Sequence, residues 1–287
     1  MMTTAAPVSA PMREPLDPVA WLALPAVVYL LFVYALPLLL LLAHAVRGPQ
    51  GLTVAPLAAF FADPFNWQVI ANTLRIAALV TLVCLVIGYP TAFALAWSTG
   101  WTQAVLLAAV ILPLSVGVVV KAFAWQIVLR RDGVLSSTMV SLGLWDEPVR
   151  LLFTETGLVL GAANVFLPFM ILPIYSVVKL IDPRLNEAGA TLGATPAYRF
   201  RRIVLPLTLP GVVTGVVFVF SLSIAMYVIP SLLIGDRFQT LATLIGRSFL
   251  FMRNEQLGST TATVLLVLAV VVVVSSGVLA RRLGRSA

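Results

Sequence analysis

One cysteine, one histidine, two lysines and a charged fraction of only 10% leave this chain of 287 residues little chemistry of its own. Cys84 alone cannot build a disulfide framework, and with His44 it falls short of the three or four ligands a zinc site takes. A phosphate-binding loop of the form GxxxxGK[ST] is missing, because the two lysines, Lys121 and Lys179, both lie outside that frame. GxSxG, HExxH and paired carboxylates within an apolar run are also missing, so the chain is not expected to be an enzyme. None of its long apolar runs carries Asp or Glu in its core, where gradient-driven transporters hold a coupling ion. If such a chain transports, its energy comes from a partner.

What is abundant is apolar: 61% of residues, with a mean hydropathy of +1.05, against about 25% charged residues in an ordinary soluble domain. A bilayer core about 30 Å thick takes about 20 apolar residues per helix. Six runs meet that length, at about 19–45, 70–97, 103–129, 157–180, 207–232 and 259–280. They are too long and too evenly apolar for barrel strands. The expectation is an all-α membrane protein of six transmembrane helices spanning 19–280. The first run is about twice the length of a cleavable signal core, so it reads as an anchor despite AHA at 43–45. Residues 1–18, with Pro7, Pro11, Pro15 and Pro18, read as a disordered lead, and 281–287 as a basic tail.

The net charge of +7 is concentrated in two places. Lys179, Arg184, Arg199, Arg201 and Arg202 lie between runs four and five, and Arg281, Arg282 and Arg285 lie in the tail. With six spans and a cytoplasmic N-terminus both clusters fall on the cytoplasmic side, as the positive-inside rule expects. Arg130, Arg131 and Arg150 oppose it, beside Asp132, Asp146, Glu147 and Glu155. Anionic lipid accounts for the arginine clusters without nucleic acid. Cys84 in LVCLVIG reads as an apolar packer, and His44 as a residue of the lipid–water boundary.

Helix-loosening residues recur along the spans: Pro25 and Pro37, Gly88 and Pro90, Pro113 and Gly117, Pro168 and Pro173, and Pro230. In a membrane each proline leaves a carbonyl for neighbouring helices to satisfy, which belongs to a packed bundle that bends. Two GxxxG pairs, Gly157 with Gly161 and Gly211 with Gly215, offer faces for close helix contact. Charge within the spans is confined to Arg75, near an end and able to snorkel, and Lys121.

The run EAGATLGATPAYRFRRIVLPLTLPG at 187–211 breaks the apolar pattern. Asp182 with Pro183 is a helix start, and Gly193 a stop. Thr195 with Pro196 starts a second helix, expected to continue through Ile203 until Pro206 disrupts it. Leu185, Ala188 and Leu192 share a face, with Gly189 beside them. That surface suits insertion into a groove of another protein, and equally an amphipathic loop lying on the inner leaflet.

At these residues the chain resembles a family, the membrane subunits of binding-protein-dependent ABC importers. Their cytoplasmic loop reads EAA, three residues, G, nine residues, I-x-LP. Glu187, Ala188, Gly193, Ile203, Leu205 and Pro206 match, while Gly189 replaces the second Ala, a loss of about 1 kcal/mol of helix propensity. NTL at 72–74, GYP at 88–90, KAFAW at 121–125, LPFMILPIYS at 167–176 and PLTLPG at 206–211 resemble the PotB-type spermidine/putrescine branch. The resemblance implies the type I importer permease fold, with a coupling helix in the loop at about 181–206, between helices 4 and 5. It implies a bacterial inner-membrane location with both termini cytoplasmic. It also implies an ABC ATPase dimer that uses ATP and magnesium, a second, PotC-like permease and an extracytoplasmic binding protein.

Glu187, Ala188, Gly189, Gly193 and Arg199 are then the ATPase-coupling residues. Lys121, Trp125, Asn164, Tyr175, Ser223 and Tyr227 are candidate pathway residues, the aromatics through their ring faces. The implied substrate is a polyamine, with opines, γ-aminobutyrate, thiamine and ferric iron as alternatives within the family. The rival from another class is a stand-alone gradient-driven transporter or structural subunit whose loop rests on lipid.

Overall fold

The computed structural model describes residues 18–48, 51–235 and 238–284. The expected lead at 1–18 lies outside them but for Pro18, as does the end of the basic tail. Helix α1 (Pro18–Ala45) leads through the strand pair β1 (Arg47–Gly48) and β2 (Gly51–Leu52) and the short α2 (Ala55–Ala62) into α3 (Pro64–Trp97). Then come α4 (Gly100–Ile111), α5 (Val118–Val128), α6 (Val134–Ser141) and α7 (Glu155–Lys179). They are followed by α8 (Pro183–Thr191), α9 (Pro196–Arg199), α10 (Leu205–Ile224), α11 (Val228–Leu233), α12 (Leu241–Leu250) and α13 (Glu255–Gly284). Among the described residues five helical stretches are long and apolar enough to cross a bilayer, and the bent pair α4–α5 makes a sixth.

Local signals explain most boundaries. Asp63 accepts a hydrogen bond from the Phe65 amide at 2.9 Å with Pro64 in the first turn, so α3 begins before residue 70, where the apolar run starts. Thr154 caps α7 by accepting from the Gly157 amide at 3.1 Å. The last helix continues past residue 280 to Gly284.

Helices α3, α7 and α10 form the core. Ile76, Val80 and Cys84 of α3 meet Leu158, Ala162, Met170 and Ile174 of α7 and Val219 of α10. Cys84 is a packing residue whose thiol donates to the Ala163 carbonyl at 3.6 Å, and the His44 ring hydrogen-bonds the Leu40 carbonyl at 3.0 Å. Lipid is as apolar as leucine, so such helices are held by close van der Waals fit rather than by escape from water. The GxxxG pairs supply it within the chain. A Cβ on Gly211 would lie 2.9 Å from the Pro173 carbonyl oxygen, and one on Gly215 2.8 Å from Met170 Sδ. Gly157 backs onto Leu151, and Gly161 onto Leu233. Outside this core α13 packs against α12, α1 and α10. Apart from Ala45 at its end, the apolar stretch of α1 from Leu24 buries none of its residues in the chain, as expected of a helix facing lipid.

Two expected spans are corrected. The run at 103–129 is not one helix: α4 ends in a 3-10 turn at Leu112–Ser115, and α5 leaves at 104°. Pro113 and Gly117 sit in that break, where missing amides and open backbone make a sharp turn cheap. The run at 207–232 is not one helix either: α10 stops at Ile224 and the short α11 carries Pro230. Nor does Pro206 disrupt the preceding helix. Residues Phe200–Val204 form a π-helical turn, so Pro196–Ile224 runs on as one helical stretch of 29 residues. The wider turn relieves the clash of a proline ring with the preceding turn's carbonyl.

Helix α11 and the chain that follows it to α12 are held by side chains from neighbouring spans. Asn72 Nδ2 donates to the Gln239 carbonyl at 3.2 Å, and the Leu241 amide donates to Thr73 Oγ1 at 2.9 Å. Gln126 Nε2 donates to the Leu232 carbonyl at 2.6 Å. Thr73 lies about 14 Å along α3 from its start, and its hydroxyl supplies the partner that an amide at the start of α12 lacks within its own helix. At the same end of the bundle Arg75 pairs with Glu155 at 3.0 Å, tying α3 to α7.

Candidate coupling loop and pathway residues

The loop between α7 and α10 is two short helices set by their caps. Asp182 accepts from the Arg184 amide at 2.9 Å with Pro183 following, and Thr195 accepts from the Tyr198 amide at 3.4 Å with Pro196 following. Between them Gly193 takes φ +74°, a conformation costly for any residue with a Cβ. The amides of Gly193 and Ala194 donate to the carbonyls of Ala190 and Gly189, closing α8. The turn chemistry therefore fixes the angle between the helices before any partner is present.

Helix α8 contains no buried residue. Its contacts are with α9 and the π-helical turn. Glu187 and Ala188 are exposed, Leu185 is exposed, and Leu192 at its C-terminus is 87% exposed. Glu187 also lines a cavity of about 500 Å³ with Phe93, Trp97, Lys179, Asp182 and Asn186. Among the described residues no basic group lies within ion-pairing distance of Glu187. Helix α8 is thus set by its own caps and leaves a carboxylate and two leucines in the open.

Arg199 has a different place. Its Nη1 donates to the Asn186 carbonyl at 2.9 Å, and its Nε is buried. A Cβ on Gly189 would lie 3.1 Å from Arg199 Cδ and 3.2 Å from Ile203 Cδ1. Glycine at the one position where the loop departs from the family pattern lets the arginine stem lie against α8. Arg199 is thus a strut between the two loop helices. Its replacement by Ala should leave the bundle intact and speed amide hydrogen exchange in 183–193 by about tenfold or more, since a hydrogen bond from a charged group contributes about 1.5–3 kcal/mol. Hydrogen-exchange mass spectrometry on the purified protein checks this, and unchanged exchange would show that the caps alone hold α8.

The six pathway candidates do not form one site. Trp125 Nε1 donates to Asn164 Oδ1 at 3.2 Å, joining α5 to α7, and Lys121 sits one helical turn before Trp125. Tyr175 accepts from Gln103 Nε2 at 3.1 Å, nearer the loop. Ser223 is buried with no partner for its hydroxyl among the described residues. Tyr227 lines a separate polar pocket with Ser231, Gln239, Thr243, Arg247 and Phe251. Sequence reasoning missed Gln239, Thr243 and Arg247, because α12 lies in what reads as a loop. Its signal was present: Thr240 with Thr243 forms a reciprocal cap at the start of α12.

The geometry is that of a helical membrane subunit with an exposed two-helix loop between α7 and α10, and comparison with known proteins gives the same class. Residues 7–285 match the family model described as binding-protein-dependent transport system inner membrane component. The chain belongs to that family of ABC importer permeases, and is a multi-pass inner-membrane component of it. It is 33% identical over 247 residues to the spermidine/putrescine transport system permease protein PotB of Haemophilus influenzae, covering 84% of this chain and 86% of that one. It is 37% identical over 195 residues to the inner membrane ABC transporter permease protein YdcU of Escherichia coli, covering 63% and 61%. A bacterial alginate ABC transporter, solved with an alginate-bound periplasmic protein, shares the fold at a TM-score of 0.77 and 19% identity, covering 92% of this chain and 94% of that one. The methionine transporter MetNI matches at 0.59 and 18% identity, covering 77% and 98%.

Proposed function

We propose that this permease carries a polyamine of the spermidine/putrescine kind, delivered by an extracytoplasmic binding protein and driven by an ABC ATPase dimer that uses ATP and magnesium. The observation that carries the energy-coupling part is the bare helix α8, preformed by its caps and uncovered in the chain. The relatives named for spermidine and putrescine support the substrate class. A second, PotC-like permease completes the pathway, and the loop and both termini face the cytoplasm. On this reading Glu187 meets the ATPase, and Arg201 and Arg202 stand at the lipid phosphates.

The pathway candidates on this chain are aromatic and neutral except for Lys121. Trp125, Tyr175 and Tyr227 offer ring faces to an ammonium group, and carboxylates for a polyamine come from the partner permease. Lys121 beside the Trp125–Asn164 pair favours a second reading, a substrate that also bears a carboxylate, such as an opine or γ-aminobutyrate. Gentle purification followed by mass spectrometry should recover a Walker-motif ATPase with a second permease. Uptake of labelled putrescine into proteoliposomes containing that complex and its binding protein then tests the substrate. Competition by excess spermidine supports the polyamine reading. Competition by γ-aminobutyrate but not by spermidine overturns it in favour of the second, and recovery of the chain alone overturns the importer assembly.

A further inference from the structure

Pro206 and Pro210 stand one turn apart in the first part of α10, and the chain meets them differently. Ahead of Pro206 the backbone opens into the π-helical turn Phe200–Val204, and the Leu205 amide donates to the Phe200 carbonyl five residues back. Around Pro210 the helix keeps its α form, and Gly211 beside it is clamped on the Pro173 carbonyl of α7. A single π turn within an α-helix is rare and is found mostly at functional sites. Here it stands where the two-helix loop passes into the membrane helix.

Both sides of the turn are fixed. Before it, α8 and α9 are joined by the Gly193 turn, by their caps and by the hydrogen bond from Arg199 to the Asn186 carbonyl. After it, Thr208 Oγ1 hydrogen-bonds the Tyr89 hydroxyl of α3 at 3.1 Å, and the Gly211 contact follows. Residues 200–206 are what is left to bend. Beside them, among the described residues, a cavity of about 500 Å³ opens between Val204, Phe93, Trp97 and the foot of α8 at Asn186 and Glu187. The Phe200 ring lies 6.1 Å from that of Phe93 and 6.3 Å from that of Tyr89, nearly perpendicular to the latter at 85°. Tyr89 therefore touches both sides of the turn, Phe200 by its ring and Thr208 by its hydroxyl.

We propose that the π turn at 200–204 is a hinge: it exchanges π for α bonding, the two loop helices swing on it as one body, and Phe200 carries the swing onto Tyr89 and Phe93 of α3. The inference rests on the importer reading given above and adds to it the place where the loop bends. The α form drives the Pro206 ring against the carbonyl four residues back, and the π form is intrinsically the rarer one. With a cost on either side the two forms lie close, and a partner that touches them unequally chooses between them. Passing one residue through the turn moves the chain ahead of it by about 1.5 Å along the helix axis and about 100° around it. A few residues at the end of an element suffice to take up such a change, and the cavity beside Val204 gives the loop room to make it.

The test uses the whole complex with its ATPase and binding protein in proteoliposomes, spin-labelled on pairs of introduced cysteines, Cys84 being buried away from the label. Three pairs are compared with and without ATP: Thr191 with Ala197 inside the loop, Ala197 with Leu207 across the turn, and Leu207 with Thr214 across Pro210. The separation across the turn should change by more than about 1.5 Å, and the other two should hold. Pro206→Ala, which restores an amide and lets the α form close, should abolish that change and lower uptake about three- to tenfold, with the ATPase recovered as in the parent. Phe200→Leu should keep the change across the turn and lower uptake by a similar factor, and Phe200→Tyr, which keeps the ring, should restore most of it. A change inside the loop or across Pro210 in place of the turn overturns the hinge, as does a turn distance that holds in a complex that imports. Parent-like uptake in Phe200→Leu overturns the transfer to α3. Failure of the importer reading looks different: no ATPase then accompanies the chain, and the hinge falls with that reading rather than by its own distances.

Discussion

Replacing Glu187 by Ala should give a complex that assembles normally and no longer imports. The expected fall in uptake and in binding-protein-stimulated ATP hydrolysis is at least about tenfold, equivalent to about 1.4 kcal/mol of lost coupling. The side chain is exposed on a helix that buries nothing, so its removal leaves no cavity and no orphaned partner among the described residues. Ala is the better helix former, so α8 itself should persist. A structural role therefore predicts no effect, and a docking role predicts a large one with unchanged yield. Co-purification of the ATPase, proteoliposome uptake and coupled hydrolysis, measured on the same preparation, separate the two. Parent-like coupling would remove Glu187 from the docking surface and leave Leu185 and Leu192 as its remaining apolar contacts.

The same helix shows how far residues alone could be read. Its start at Asp182 and Pro183, its stop at Gly193 and the restart at Thr195 and Pro196 were legible, because caps and proline act within one turn of the residues that carry them. The long spans were legible too, since bilayer thickness sets a length that composition reveals. What escaped depends on contacts between distant residues. The places of α11 and of the start of α12 are held by Gln126, Asn72 and Thr73, more than a hundred residues away in the chain. An apolar run such as 207–232 looks the same whether it continues or breaks, because a break at membrane depth needs only partners for its backbone. Pro206 misled for a related reason: a π-helical turn before it absorbs the clash, and no local signal announces that turn. Arg199 reads in the sequence as one of the ATPase-coupling residues. Its role as a strut follows from Asn186 and Gly189 facing it across a turn.

Gly211 carries the second large effect, on stability rather than on coupling. A Cβ there would stand 2.9 Å from the Pro173 carbonyl oxygen, 3.1 Å from Ile174 Cα and 3.0 Å from Val177 Cγ2. Two of those neighbours are backbone of α7, which cannot turn aside as a side chain can. Gly211→Val should therefore push α10 away from α7 and destabilise the bundle by about 3 kcal/mol, the upper end of overpacking costs. Thermal unfolding of the purified protein in detergent reads this as a lower midpoint. Gly277→Val serves as the control, because nothing lies within 4 Å of that position in α13 and it adds the same atoms. Equal midpoints for the two variants would show that α7 and α10 yield without cost. The consequence reaches function because α7 and α10 are the two helices the coupling loop connects. Their contact at Gly211 lies only a few residues beyond the loop on α10, so on the proposed coupling role motion of α8 would pass to a pair of helices already fixed to each other. Gly211→Ala, which strains that contact without the added bulk of valine, should fold and show a fall in uptake larger than its fall in stability.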